Sequence, residues 1–176
     1  SYARDLGFHP MIAAAGFSLI GFMSIVGGVT LGHLSDKHGR RHLLSYSYYI
    51  RAAGFIVVLL SMGIGFLGIP QLGLPALLVG IILVGFSWNA VVGITAAYAS
   101  DRFGISNLGT IYGSIFAVMP LGAGLGAFLG GVLYDVRGSY DVAMWSNIVL
   151  LIIAGAVALV RERRIEPRET AALKVK

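Results

Sequence analysis

Apolar residues fill long stretches of this chain, and ionisable residues occur only between those stretches or close to their ends. The stretches without Asp, Glu, Lys, Arg or His are residues 11–32, 52–100, 103–134 and 142–160. A bilayer core of about 30 Å is crossed by roughly 20 apolar residues in a helix, so three of the stretches fit one crossing each. No segment alternates apolar and polar residues with a period of two, and membrane-spanning strands are therefore not expected.

The stretch 52–100 is too long for one crossing, because a single helix over it would extend roughly 74 Å. Residues that break helices lie in its middle, at Gly63, Gly65, Gly68, Pro70, Gly73 and Pro75. The chain is therefore predicted to be an all-α membrane protein with five transmembrane helices. Their predicted bounds are residues 11–33, 43–62, 74–99, 109–133 and 142–160, followed by a tail over 161–176.

The composition supports a membrane protein, since 57% of the 176 residues are apolar and only 12% are charged, against roughly a quarter charged in soluble domains. The 25 glycines suit helices that pack backbone against backbone in lipid. The absence of cysteine excludes disulfides, thiolate metal sites and a cysteine nucleophile. The net charge of +5 arises from residues near the ends of apolar runs, so membrane lipid is expected as a partner and nucleic acid is not.

The basic residues predict the orientation, because Lys and Arg concentrate in cytoplasmic loops. Ten of the 13 fall on one predicted side, namely Lys37, Arg40, Arg41, Arg102 and the six of the tail. Arg4 and Arg137 fall on the other side, and Arg51 lies within a span. The amino end is thus expected outside and the carboxyl tail in the cytoplasm. The chain begins at Ser1 without an initiator Met or a signal peptide, and we interpret it as a fragment.

The most specific motif joins the first and second predicted helices and reads GHLSDKHGRR over residues 32–41. In it Gly32 allows a neighbouring helix to approach closely, Gly39 permits a tight turn, and Asp36 is placed to attract the positive end of a helix. A generic basic turn is the alternative interpretation. The motif resembles a loop of the major facilitator superfamily, found between helices two and three and again between eight and nine, which reads G-x-L-[A/S]-D-[R/K]-x-G-R-[R/K].

Three other segments agree with this resemblance: YARDLGF before the first span, SDRFG after the third and GGVLYDVRGSYD after the fourth. They are similar to the carboxyl half of bacterial members related to the monocarboxylate and oxalate/formate branches. The resemblance implies that the five spans are helices eight to twelve, most of one six-helix bundle of a major facilitator fold. Helix seven and the amino half would then be missing. It also implies a bacterial inner membrane, and helix eight of that fold runs from outside to inside, as the charges predict.

A stripe of small residues lies on the fourth span, where Gly122, Gly126 and Gly130 repeat every four residues. Small residues at this spacing let helices touch closely in lipid, where the hydrophobic effect does not drive association. The stripe packs either within the five-helix unit or, as the resemblance favours, against the missing amino half. A weaker stripe on the first span consists of Ser24, Gly28 and Gly32.

Arg51 lies ten residues beyond Arg41, hence about 15 Å deeper along a helix, where an unpaired cation costs several kcal/mol. Either it faces an aqueous cavity and binds an anionic substrate, or it snorkels toward the cytoplasm along Ser47 and Tyr48. Helix nine is peripheral in the resembled fold, which favours the structural interpretation.

Trp88 and Asn89 are predicted at the middle of the third span, where a buried amide needs a hydrogen-bond partner. Tyr112 and Phe116 lie one turn apart in the fourth span. The tenth and eleventh helices of the resembled fold both line its cavity, so these four residues form the predicted substrate cavity. In the alternative, Asn89 ties two helices together and the aromatic rings face lipid.

Asp36, Arg40 and Asp101 are predicted to meet at the cytoplasmic surface. They lie just after the end of the first span, just before the start of the second and just after the end of the third. The resembled family commonly pairs this arginine with an acid at the end of its tenth helix. The resemblance thus supports a gating charge lock of these three residues. In the alternative they are solvated loop charges that only fix the topology.

The predicted function is transport, because all eight carboxylates lie outside the predicted spans and no acid–base pair for a membrane enzyme is available. The four histidines lack metal-ligand spacing, and neither a metal nor another cofactor is predicted. We expect a secondary transporter of a small solute that works by alternating access. The resembled branch favours an organic anion, although its members often place a basic residue in helix eight or eleven and the corresponding spans here have none. A non-transporting sensor or scaffold is the alternative.

Overall fold

Five long helices make up the chain in the computed structural model, which describes residues 10–62, 72–105, 108–137 and 141–160. In chain order they are α1 (Pro10–His38), α2 (Arg40–Met62), α3 (Gly73–Phe103), α4 (Leu108–Arg137) and α5 (Asp141–Leu159). All five are long and apolar enough to cross a membrane, and these ranges contain no strand. The prediction of an all-α integral membrane protein with five spans is confirmed.

The helices extend beyond the predicted spans at the ends that carry charges. α1 continues to His38 and α3 to Phe103, so the predicted ends at residues 33 and 99 are too early. A charge ends the hydrocarbon crossing but does not end a helix, since headgroups and water can surround further turns. With 31 residues α3 extends about 46 Å, well past a core of about 30 Å.

The connection between α1 and α2 consists of Gly39 alone. This residue has a left-handed backbone with a φ of 91°, a conformation that costs glycine little because it has no Cβ. The Gly39 N–H donates to the Ser35 carbonyl at 3.1 Å, and the Leu43 N–H donates to the Gly39 carbonyl at 3.3 Å. The predicted tight turn at Gly39 is confirmed.

The second connection brings the end of α2 beside the start of α3. The Leu72 N–H donates to the Leu60 carbonyl at 3.3 Å, and Gly73 begins α3 with a φ of 65°. Most of the predicted break, at Gly63, Gly65, Gly68 and Pro70, lies outside the described residues. The chain nevertheless reverses between these two helices, as their combined length required.

α3 is the central helix of the bundle, because it packs along both α1 and α2, while α2 also packs along α5. α4 touches only α3 and α5, and over a short length. Two clusters of buried residues form between the helices. They are Leu31, Leu43, Ala90 and Ile94 between α1, α2 and α3, and Ala52, Leu59, Ile148 and Leu151 between α2 and α5. By contrast, no residue in the most apolar part of α4 is buried.

Glycines set the distance at the two tightest crossings of α3. A Cβ added to Gly27 of α1 would overlap with the backbone carbonyl of Phe86. A Cβ added to Gly80 of α3 would lie 2.9 Å from the carbonyl oxygen of Gly54 in α2. Backbone meets backbone at both crossings, which is how helices associate closely in lipid.

α5 is held to α2 at one further glycine. A Cβ added to Gly155 would lie 2.7 Å from Cε1 of Tyr49. The hydroxyl of Ser45, which is buried, donates to the Gly155 carbonyl at 2.7 Å. Close packing and a hydrogen bond between helices therefore coincide at this contact.

The glycines that were predicted to pack helices have no atom of another helix close to them. A Cβ added to Gly32, Gly122, Gly126 or Gly130 meets no atom of the described chain within 4 Å. The alternative in which the α4 stripe packs tightly inside the five-helix unit therefore has no support here. A packing role toward a surface outside this unit stays a prediction.

Candidate functional site

The middle of α3 presents two polar or aromatic residues on a face that the bundle leaves open. Trp88 is the middle residue of this helix of 31 residues, and it is 48% exposed. Asn89 is exposed as well. Their neighbours Ser87 and Ala90 are buried against the rest of the bundle. The packing of α3 on α1 and α2 thus fixes which of its residues face outward.

Asn89 also makes a hydrogen bond between helices. Its amide Nδ2 donates to the Ser24 hydroxyl of α1 at 3.1 Å, and that hydroxyl donates to the Gly21 carbonyl at 2.7 Å. A Cβ added to Gly28 would lie 3.5 Å from Cβ of Asn89, so α1 passes close to this side chain. The hydrogen bond between two helices that was considered as the alternative for Asn89 is therefore present. Asn89 is nevertheless exposed.

Tyr112 and Phe116 form the nearest part of α4. Their ring centroids lie 4.5 Å apart with an angle of 42° between the planes. The Tyr112 hydroxyl donates to the Val92 carbonyl of α3 at 3.3 Å, one helical turn beyond Trp88. The structure therefore places all four predicted cavity residues along adjoining parts of α3 and α4.

Arg51 occupies the middle of α2, and its guanidinium crosses to α3. Nη2 donates to the carbonyls of Ser87 at 2.8 Å and Trp88 at 3.1 Å, and Nε donates to the Ser87 hydroxyl at 3.4 Å. The guanidinium carbon lies 5.1 Å from the centre of the Trp88 ring, within range of a cation–π interaction. The expected snorkelling toward the cytoplasm is thus wrong, because a closer set of acceptors lies at the same depth on α3.

The three residues of the predicted charge lock meet at one end of the bundle. Arg40 Nε lies 2.6 Å from Asp101 Oδ2, and Arg40 Nη2 lies 3.4 Å from Asp36 Oδ1. The Arg40 side chain is 28% exposed, while the two carboxylates are 57% and 61% exposed. The one-residue turn makes this possible, because it places Arg40 at the first position of α2 beside the last turns of α1 and α3. The structure brings the three charges together, and their gating role stays a prediction.

A cavity of about 360 Å³ lies next to these charges. It is lined by Gly39, Arg40, Arg41, His42, Tyr98, Asp101 and Arg102. Arg102 Nη1 donates to the Tyr98 hydroxyl at 3.3 Å. Tyr98 was not predicted to belong to this cluster, although its spacing of four residues from Arg102 places both on one helix face.

A second cavity of about 540 Å³ lies in the groove between α4 and α5. Gly122, Gly126 and Gly130 form its α4 wall, and Met144 and Asn147 belong to its α5 wall. Asn147 was not predicted as a site residue, and a polar amide within an apolar span was the available signal. Throughout the described ranges, no three His, Asp or Glu side chains are grouped as metal ligands.

Comparisons with known proteins agree with these features. The family model of the Major Facilitator Superfamily matches residues 1–175. An uncharacterised MFS-type transporter of Bacillus subtilis, YcxA, is 28% identical over 80% of this chain and 33% of its own length. A triacylglyceride transporter of Mycobacteroides abscessus is 29% identical over 70% of this chain and 22% of its own length.

A monocarboxylate transporter 12 of Xenopus laevis is 28% identical over 96% of this chain and 36% of its own length. The chain thus spans little more than a third, at most, of the curated relatives it matches. No solved structure matches it significantly. The family model covers nearly every residue, so the chain belongs to the Major Facilitator Superfamily.

Proposed function

We propose that this chain is the carboxyl-terminal bundle of a secondary transporter, which carries a small solute across the membrane by alternating access. The observation that carries the proposal is the open face of α3, where Trp88 and Asn89 lie at mid-membrane depth. A polar side chain left accessible at that depth is costly unless it faces a water-filled path or a ligand. A transport path supplies both, and we propose this function rather than an enzymatic one.

The proposed transporter needs a second half to close its path. The exposed α3 face and the α4 stripe of Gly122, Gly126 and Gly130 are two surfaces that the described helices do not cover. We propose that the amino-terminal half of the same protein covers both. We also propose a bacterial inner membrane, since two of the relatives are bacterial. The distribution of basic residues between the predicted loops supports an amino end outside.

A small monocarboxylate-like anion is the proposed substrate class. One relative is named for monocarboxylates and matches nearly the whole chain. Another is named for triacylglycerides, so the names of the relatives do not agree on a substrate. The charge of Arg51 beside Trp88 supports the anion.

The test is uptake by the full-length protein that contains this chain, purified and reconstituted into proteoliposomes. Radiolabelled acetate, pyruvate and benzoate serve as candidate anions, and glucose serves as a neutral solute. Saturable uptake of at least one solute, absent from protein-free vesicles, is expected. Binding without any uptake would instead identify a sensor and overturn the proposal.

A parallel sample of the 176-residue chain alone tests the need for the second half. The isolated chain is expected to give no saturable uptake, since its α3 face would have no opposite wall. Uptake by the isolated chain at the rate of the full-length protein would contradict the two-bundle arrangement.

A further inference from the structure

Arg51 is the one residue with a full charge in the middle of a helix, among the residues that the structure describes. Its partners are two carbonyl oxygens, a hydroxyl and an indole ring. None of these is an anion, and both ion pairs found in the described ranges belong to Arg40. Within the described ranges, the positive charge is therefore held by dipoles and is not paired with an anion.

One edge of the guanidinium remains available. The hydrogen bonds to Ser87 and Trp88 use Nη2 and Nε, so Nη1 donates to no described residue. No buried side-chain nitrogen or oxygen lacks a partner in the same set of residues, which means that Nη1 lies at an accessible surface. Trp88 is 48% exposed, and its ring centre lies 5.1 Å from the guanidinium carbon, so an accessible aromatic residue lies beside the free donor edge.

The contacts to α3 also fix the direction of that edge. A guanidinium is planar, and donation from one side to two adjacent backbone carbonyls prevents rotation about its long side chain. A ligand that binds the other edge does not have to immobilise the side chain itself, which preserves affinity. Simple attachment of α2 to α3 would not require a charged group, because an amide can also donate to a carbonyl.

We infer that Arg51 and Trp88 form a binding site for a monovalent carboxylate. The carboxylate accepts hydrogen bonds from Nη1, and the apolar part of the ligand lies against the Trp88 ring. This inference rests on the proposed function and deepens it, because it assigns the cation of the substrate site to α2. It also explains how an anion is held without a basic residue in the middle of α1 or α4.

Titration calorimetry on the purified full-length protein tests this site. The probes are acetate, pyruvate and benzoate, each compared with its neutral amide at constant ionic strength. At least one carboxylate is expected to bind tenfold or more tightly than its amide. Arg51→Gln should reduce that preference to below about twofold, and Arg51→Lys should retain part of it, because the charge remains but the fixed planar edge of the guanidinium is lost.

Two further variants separate the parts of the site. Trp88→Ala should weaken benzoate and benzamide to a similar degree, since it removes the surface for the apolar body and leaves the charge. Lys37→Gln, an exposed position in the last turn of α1, is the matched control and should leave the preference unchanged.

Chemical modification tests the same site in the unmutated protein, so the result does not depend on whether a variant folds. Phenylglyoxal reacts with accessible guanidinium groups, and modification of Arg51 is followed by peptide mass spectrometry. Benzoate should slow the reaction at Arg51 at least threefold, whereas benzamide should not. An equal rate with both probes would overturn the inference.

Other outcomes also decide against the site. A carboxylate preference that survives Arg51→Gln would place the anion elsewhere, and the absence of any preference in the unmutated protein would exclude an anion site. Equal loss of carboxylate and amide binding in Arg51→Gln and Arg51→Lys would leave Arg51 with a structural role only. Competition by chloride as strong as by carboxylate would identify an inorganic anion site.

The binding measurements do not depend on uptake, so failure of transport would overturn the proposed function separately.

Discussion

Removing the carboxylate of Asp101 is expected to loosen the charged end of the bundle, which we propose faces the cytoplasm. Asp101 lies in the last turn of α3, and Arg40, its partner at 2.6 Å, is the first residue of α2. Asp36 of α1 contacts the same guanidinium at 3.4 Å. One arginine therefore joins the ends of three helices. In the proposed full-length transporter, Asp101→Asn should shift the equilibrium toward the inward-open state.

The size of the shift follows from the exposure of the charges. Asp101 is 57% exposed and Arg40 is 28% exposed, so water and salt screen the pair substantially. Exposed ion pairs contribute about 0.2–1 kcal/mol, and this close pair should lie near the upper limit. About 1 kcal/mol corresponds to roughly a fivefold change in a two-state equilibrium.

A single cysteine on the open face of α3 reports this equilibrium. Gly93→Cys is suitable because an added Cβ there meets no described atom within 4 Å, and the chain has no other cysteine. Labelling by an impermeant maleimide is measured in inside-out vesicles of the full-length protein, with any cysteines elsewhere replaced. Asp101→Asn should raise the rate up to about fivefold, and Lys37→Gln should leave it unchanged.

A double-mutant cycle decides whether Asp101 and Arg40 act together. Arg40→Ala removes the contacts to both carboxylates, so adding Asp101→Asn to it should produce little further increase in labelling. Strictly additive effects of the two changes would show that the residues act independently. In that case the alternative of solvated charges that only fix topology would hold.

Three further predictions concern packing and the path. Gly27→Ala should lower the Tm of the purified protein by about 5 °C or more, because the new Cβ overlaps a backbone carbonyl and overpacking costs about 1–3 kcal/mol; Gly21→Ala, with no atom within 4 Å of the new Cβ, should change it little. Asn89→Ala should weaken the apparent substrate affinity in uptake assays at normal expression, and an unchanged affinity would leave Asn89 with its helix tie alone. Gly126→Leu should abolish uptake by the full-length protein at normal expression, whereas Gly124→Leu on the opposite side of α4 should not; equal effects would exclude a packing role for the stripe.

The number and order of the helices could be predicted from the sequence because the cost of charge in hydrocarbon is large compared with any helix propensity. Each crossing is bounded by ionisable residues or by a run of glycine and proline. The helix ends were less predictable for the same reason, since a charge limits the crossing and not the helix. Residues 34–38, predicted as a loop, accordingly form the last turns of α1.

The contact of Asp36, Arg40 and Asp101 could be predicted because it depends only on the turn between α1 and α2 and on the membrane side at which α3 ends. Asp36 and Arg40 are close in sequence and joined by a one-residue turn, and Asp101 needs only to end a helix on the same membrane side. The hydrogen-bond partners of Arg51 could not be predicted in this way. Whether its side chain lies along α2 or reaches α3 depends on how the two helices are rotated about their axes. Rotation about a helix axis is set by packing, and periodicity is weak in helices that are apolar on all sides.

The same rotation explains why the tight crossings lie at glycines that were not predicted to pack helices. Regular four-residue spacing drew attention to the stripe on α4, yet Gly27 and Gly80 make the tight crossings without belonging to the predicted stripes. A glycine reduces the distance between helices only if a partner backbone passes at its height and on its side. The central helix α3 meets that condition on the sides toward α1 and α2, and its Trp88 side and the glycines of α4 remain open. Because small residues give no gain in lipid unless another backbone approaches, the open stripe supports a second helical unit as the missing wall of the path.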